Sequence, residues 1–147
     1  MTELVSVASG YVVDLGEVRD EVFSQKMLGD GYGLLTHDTS LYSPVSGTVT
    51  MVYDTGHAIG IHSEDGTDIL IHIGIDTVEL GLAAFTPKIN SGEKVDQHTV
   101  LTEVNWPIIQ EKGYDGTVLV IGLDKKVNNL IKRDNVSQGV VVAETLP

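Results

Sequence analysis

The residues best placed to do chemistry are two histidines on neighbouring apolar segments. His72 interrupts the run Asp68-Ile69-Leu70-Ile71-His72-Ile73, and Gly74 just beyond it lets backbone or a partner approach closely. His57 lies fifteen residues earlier, in Tyr53-Asp54-Thr55-Gly56-His57-Ala58-Ile59. A tight turn at Asp65-Gly66 folds the strand after His57 back beside the strand that holds His72. The pairing then sets the two imidazoles opposite each other to within a residue or two. A lone histidine on an apolar strand is usually a satisfied core residue, but two sharing a site is a different matter. Such a pair can bind a metal, relay a proton, or let one ring attack phosphorus while the other donates a hydrogen bond to the incoming oxygens.

The elements that must position this pair read as short strands. Ser9-Gly10-Tyr11-Val12-Val13, Ser46 to Tyr53 and Asp115 to Ile121 each open on a turn residue and a glycine, then continue with β-branched or aromatic residues. Ala58 to His62, Asp68 to Ile73, Val100 to Val104 and Gly139 to Ala143 continue the pattern, separated by Glu64-Asp65-Gly66-Thr67 and Ser91-Gly92-Glu93. Many short strands at this spacing predict an all-β sandwich or barrel rather than βαβ units, and the repeated Gly-x-Val openings point to a duplicated strand motif. Helices are expected to be brief and peripheral. One is capped by Asp20 and stops at Gly29, a second runs from Asn105 through Pro107 to Gly113, and a third covers Asp124 to Ile131.

Composition narrows the classes. A chain of 147 residues with 41% hydrophobic and 20% charged residues predicts one domain, 1–147. Nine Lys plus Arg against 21 Asp plus Glu give a net charge of −12, the wrong sign for gripping nucleic acid or an anionic membrane. Without cysteine there is no disulfide, thiolate metal site or thiol nucleophile. Met1 to Ser6 has no basic region followed by an apolar run, and no window approaches the roughly eighteen apolar residues of a membrane span. The expectation is a cytoplasmic protein that does not insert into a membrane.

Three blocks carry a resemblance: Ser43-Pro44-Val45-Ser46-Gly47, Thr55-Gly56-His57-Ala58 and His72-Ile73-Gly74-Ile75-Asp76-Thr77-Val78-Glu79-Leu80. With Phe23-Ser24-Gln25-Lys26-Met27-Leu28-Gly29-Asp30-Gly31, they resemble the glucose-type IIA (EIIA) components of the bacterial phosphoenolpyruvate-dependent sugar phosphotransferase system, at that family's spacing. The fold so implied is an antiparallel β-sandwich of the barrel-sandwich hybrid kind, with a duplicated hybrid motif and short peripheral helices. The implied activity is that of a phosphocarrier without cofactor or metal. His72 accepts a phosphoryl group on Nε2 from the phosphohistidine of the carrier HPr and passes it to a cysteine of a sugar permease IIB domain. His57 is the stabilising neighbour, and Thr55 matches the position whose hydroxyl orients that neighbour. Phe23, Met27, Leu28, Asp76 and Val78 fall on positions of a partner-binding surface. Gly56, Ile59, Gly60, Ile73 and Gln97-His98 depart from common family residues, and none of these departures removes a histidine.

Two rival readings stay open at the level of sequence. His72, Asp76 and His57 can be three ligands of a hydrolytic zinc, although no His-x-His occurs. The Gly-x-Val hairpins also suit a biotinyl or lipoyl carrier, but neither Met-Lys-Met nor Asp-Lys-Ala occurs. No GxxxxGK[ST] loop is present, which agrees with a phosphoprotein donor rather than ATP. His37, His62 and His98 read as surface or turn residues, and Lys125-Lys126 and Lys132-Arg133 as solvated basic faces.

Overall fold

The computed structural model describes residues 1–132 and 134–147. Arg133, half of one basic cluster singled out above, lies outside the described residues. The first seven strands are β1 (Thr2–Val5), β2 (Gly10–Val13), β3 (Gly29–Leu35), β4 (Ser40–Tyr42), β5 (Gly47–Val52), β6 (Ala58–Ser63) and β7 (Asp68–Ile73). They are followed by β8 (Phe85–Pro87), β9 (Lys94–Val95), β10 (Val100–Val104), β11 (Val118–Leu123), β12 (Val127–Asn128), β13 (Asp134–Val136) and β14 (Val141–Thr145). Two short helices, α1 (Glu21–Ser24) and α2 (Trp106–Glu111), and 3-10 segments at Leu15–Glu17 and Thr77–Ala83 complete the described chain.

All strand pairs among the described residues are antiparallel. The main sheet runs β13-β2-β3-β11-β7-β6-β5-β9, with smaller sheets β1-β14-β12 and β4-β10-β8, and the sheets do not close into a barrel. The all-β antiparallel architecture expected from the strand pattern is therefore the observed one. Period two decides what each residue does. In β7, Ile69, Ile71 and Ile73 are buried while Asp68 is exposed and Leu70 and His72 are half-buried. The buried face joins Val49, Ile59, Ile61, Val118 and Val120 in the main core, where each fully buried aliphatic side chain contributes about 2 kcal/mol of transfer free energy. His72 necessarily points to the opposite face.

That opposite face is covered over part of its area. Leu15, Val18 and Phe23, from the segment between β2 and β3, pack with Ile75, Leu119 and Ile121 into a second, smaller apolar cluster. Leu70 lies at its edge.

Two helical expectations are corrected. The helix capped by Asp20 is a single turn: Asp20 Oδ1 accepts from Val22 N at 2.9 Å, and the left-handed Lys26 (φ 58) ends it well before Gly29, which opens β3. Asp124 to Ile131 forms no helix. Asp124 (φ 58) and Asn129 (φ 55) turn left-handed, a conformation these two residue types tolerate, and Val127–Asn128 between them pairs with β14. The helix at α2 stands as expected, with Asn105 Oδ1 capping Ile108 N and Gly113 (φ 78) just past its end. The strand β3 was not foreseen, since three of its seven residues are glycine. Gly31 is needed there because a Cβ would lie 1.8 Å from the Val120 carbonyl oxygen of the neighbouring β11.

Candidate functional site

The β6–β7 ladder brings the two histidines together. Ala58 is the partner of His72, and Ile73 N donates to His57 O at 2.8 Å, so His57 sits one step beyond the register position opposite His72. The imidazole centroids are 5.1 Å apart with the ring planes nearly perpendicular at 81°. His57 is 7% exposed and His72 half-buried.

Each ring is held by one partner at Nδ1. His72 Nδ1 lies 2.8 Å from Gly74 O. A carbonyl oxygen only accepts, so Nδ1 of neutral His72 carries the proton and Nε2 presents a lone pair. Among the described residues Nε2 has no hydrogen-bond partner. Gly74 reaches this geometry at φ 81, which a side chain would resist. His57 Nδ1 lies 2.6 Å from Thr55 Oγ1, and when that hydroxyl donates, the proton of His57 sits on Nε2. Tyr53 packs edge-on against His57 at 5.3 Å.

Burial holds both histidines below their ordinary value. For His72 desolvation is the main cause, and the proximity of His57 adds to it; the Gly74 carbonyl, Asp20 and Asp76 pull the other way. For His57 burial alone lowers it. A neutral, nucleophilic ring at neutral pH is the consequence.

A depression of about 230 Å³ opens beside His72, lined by Asp20, Val22, Phe23, Asp76 and Val78. The structure thus brings Phe23, Asp76 and Val78 to His72, but in different capacities. Phe23 is 8% exposed, with its ring 5.0 Å from that of His72, and acts as a wall. Val78 is exposed, and Asp76 is exposed at φ 59. Met27 and Leu28 do not line this depression; they line another one with Lys26, Asp124 and Lys125, because the left-handed turn at Lys26 redirects the chain. Sequence reasoning missed Val22 and treated Asp20 only as a cap. The available signal was Val22 itself, an apolar residue beside Phe23 on a helix too short to bury both.

Among the described residues no three His, Asp or Glu side chains gather into a group that could hold a metal. Asp76 therefore does not complete a ligand set with the histidine pair, and the hydrolytic zinc reading lacks its third ligand. His37, His62 and His98 are exposed, as expected. No helix among the described residues is long and apolar enough to cross a membrane.

Comparison with known proteins agrees with the geometry. Residues 2–127 match the family described as phosphoenolpyruvate-dependent sugar phosphotransferase system, EIIA 1. The chain is 41% identical over 119 residues to the PTS system glucose-specific EIICBA component of Streptococcus pneumoniae, a match covering 81% of this chain and 16% of that protein. It thus spans about a sixth of the length of that relative. The fold is similar to that of glucose permease IIA from Mycoplasma capricolum, with a TM-score of 0.86 at 31% identity, over 96% of this chain and 93% of the other.

Proposed function

From a chain that belongs to the EIIA 1 family of the phosphoenolpyruvate-dependent sugar phosphotransferase system, we propose a phosphocarrier that receives its phosphoryl group from phospho-HPr on His72 and delivers it to a cysteine of a IIB domain. The family implies phosphotransferase activity in sugar uptake. The donor, the acceptor, the phosphohistidine and the cytoplasmic setting are the proposal.

The observation that carries it is the tethering of His72 Nδ1 to the Gly74 carbonyl, which leaves the Nε2 lone pair free on a residue that lines the depression. In the first step that lone pair forms a bond to phosphorus as the phosphorus–nitrogen bond of the donor's phosphohistidine breaks, and the bonding pair returns to the donor's imidazole. The phosphorylated His72 ring then bears positive charge, with its Nδ1–H still donating to the Gly74 carbonyl. His57 donates from Nε2 to the phosphoryl oxygens, and Thr55 fixes the tautomer that makes this possible. In the second step a cysteine thiolate attacks phosphorus and His72 leaves as the neutral ring.

Little else is needed, because transfer between two nucleophiles depends on alignment and on donors facing the equatorial oxygens. Val22 and Val78 offer apolar contact, and Asp20 and Asp76 offer negative charge, around the nucleophile. That combination suits a partner with basic side chains set among apolar ones. Met27 and Leu28, proposed from the family resemblance as part of the same surface, would take part only with a partner broad enough to span both depressions.

The test is incubation with phosphoenolpyruvate, enzyme I and HPr, followed by intact mass spectrometry at mildly alkaline pH. The expected result is an acid-labile gain of one phosphoryl group that is absent in His72→Gln. A folded His72→Gln protein that gains the group at the wild-type rate would overturn the assignment.

A further inference from the structure

The tautomer of His72 depends on where the Gly74 carbonyl points, and one buried side chain packs against Gly74 and bonds the peptide just before it. Between Ile73 and Thr77 the backbone enters the left-handed region twice, at Gly74 (φ 81) and at Asp76 (φ 59). Such a segment has few ways to satisfy its own polar groups. Here Gly74 N donates to Thr117 O at 2.9 Å and Ile75 N to Asp115 O at 2.9 Å, while Thr77 Oγ1 donates to Ile73 O and closes the loop on itself. Thr77 is fully buried. Its methyl group lies against Gly74, so close that a Cβ on Gly74 would be 2.4 Å from Thr77 Cγ2.

We propose that Thr77 is a positioning residue for phosphoryl transfer, its hydroxyl tying the Ile73 carbonyl and its methyl backing Gly74, so that the Gly74 carbonyl is held on His72 Nδ1. This deepens the phosphocarrier reading and rests on it for its functional meaning. Ile73 O is the carbonyl immediately before Gly74. Fixing it fixes the Ile73–Gly74 peptide plane, and with the Thr117 and Asp115 carbonyls it leaves the Gly74 carbonyl one orientation. A free imidazole ring favours the other tautomer, with its proton on Nε2 and no lone pair there to attack phosphorus. The loop reverses that preference by supplying an acceptor at Nδ1. Thr77 touches neither His72 nor any transferred atom, and its effect reaches the reaction only through that backbone.

The variants that separate hydroxyl from bulk are Thr77→Val and Thr77→Ser, read by long-range proton–nitrogen NMR of the histidine rings in the unphosphorylated protein at mildly alkaline pH. The wild type is expected to show His72 with Nδ1 protonated throughout. In Thr77→Val the buried Ile73 carbonyl loses its partner, the two tautomers mix, and acceptance from phospho-HPr slows about tenfold, the equivalent of one buried hydrogen bond. Thr77→Ser restores the hydroxyl, the single tautomer and most of the rate. A folded Thr77→Val protein with an unmixed Nδ1–H tautomer and wild-type acceptance would overturn the proposal. Should the valine variant not fold, a folded Thr77→Ala protein decides: a mixture of His72 tautomers supports the positioning role, and an unmixed Nδ1–H tautomer sinks it. Because the tautomer is read without HPr, a protein that shows the Thr77 effect on the ring yet takes no phosphoryl group would refute the carrier reading and leave the positioning role standing.

Discussion

The hairpin of β6 and β7 carries a histidine at each end of one ladder, and the two ends differ in almost every respect that matters to chemistry. At the open end Ala58 faces His72, and His57 adds a second ring. At the turn end His62 faces Asp68, and His62 Nδ1 meets Asp68 Oδ1 at 2.7 Å. His62, Asp68 and His72 all project from the same side of the sheet, the side away from the main core. What separates them is the segment between β2 and β3, whose Leu15, Val18 and Phe23 cover the outer face around Leu119 and Ile121 and stop short of the turn. Beside that cover His72 is half-buried, finds a carbonyl rather than a carboxylate at Nδ1, and has its pKa held down by burial with no partner on Nε2 among the described residues. Without it, His62 meets a carboxylate at Nδ1 while both side chains stay more than half exposed to water. In its proposed role, His72 is set apart by an apolar lid and a turned peptide, not by the strand that bears it.

The comparison breaks most sharply at the second ring. His57→Gln is expected to leave acceptance from phospho-HPr intact while slowing delivery to a IIB cysteine by about a hundredfold, the order of effect of removing one preorganised donor to a transferring group. Single-turnover transfer from the phosphorylated protein measures it, and unchanged delivery would show that the pair is no more than two neighbours.

The next effect concerns the cover. Phe23→Ala removes a ring that is 8% exposed and lies tilted against His72 with the centroids 5.0 Å apart, and is expected to cost about 3 kcal/mol in urea unfolding. It should also let water reach His72 and raise its pKa toward the ordinary 6.5. The sign for the wild type follows from burial. His57 and His72 both have folded values below 6.5, so the unfolded chain takes up their protons first as pH falls. Their share of stability is therefore full above about pH 6.5, declines as pH falls below 6.5 toward the folded values, and levels off beneath those. Phe23→Ala should flatten that decline, as unfolding at a series of pH values would reveal. A variant with wild-type slope and an unmoved His72 titration would show that Phe23 is not the lid.

How much of this was readable in the sequence depends on range. The β6–β7 hairpin was legible because alternation and the Glu64–Thr67 turn are local signals, and the register came within one residue of the observed pairing of Ala58 with His72. The nearness of His57 followed from that register. The lid was not legible. Phe23, Met27 and Leu28 share helical spacing, but Lys26 adopts a left-handed conformation no propensity favours, and Met27 and Leu28 turn to another face. Nor was β3, whose glycines are demanded by close approach of β11, a contact almost ninety residues away in sequence. The strands β1, β8, β9, β12 and β13 span two to four residues and exist because a distant partner pairs with them. Asp124 to Ile131 has helix-compatible spacing and loses to two left-handed polar residues.

The smallest expected effect lies at the turn end, and it tests whether the contrast is one of environment rather than of residue type. His62 and Asp68 are 53% and 62% exposed in their side chains, so their contact is screened by water and salt. His62→Gln should therefore change stability by no more than about 0.5 kcal/mol and leave both acceptance and delivery of phosphoryl groups at wild-type rates. The two ends are joined by a ladder of five paired positions, so a purely mechanical role for the turn would still reach His72 through the strands. A twofold or greater loss of acceptance in His62→Gln, with unfolding unchanged, would mean that the two ends are coupled and that the lid alone does not set the character of His72. Wild-type rates would support the cover of Leu15, Val18 and Phe23 over Leu119 and Ile121, together with the Gly74 carbonyl and the His57 ring, as what separates the proposed phosphoryl acceptor His72 from His62 on the same face of the same hairpin.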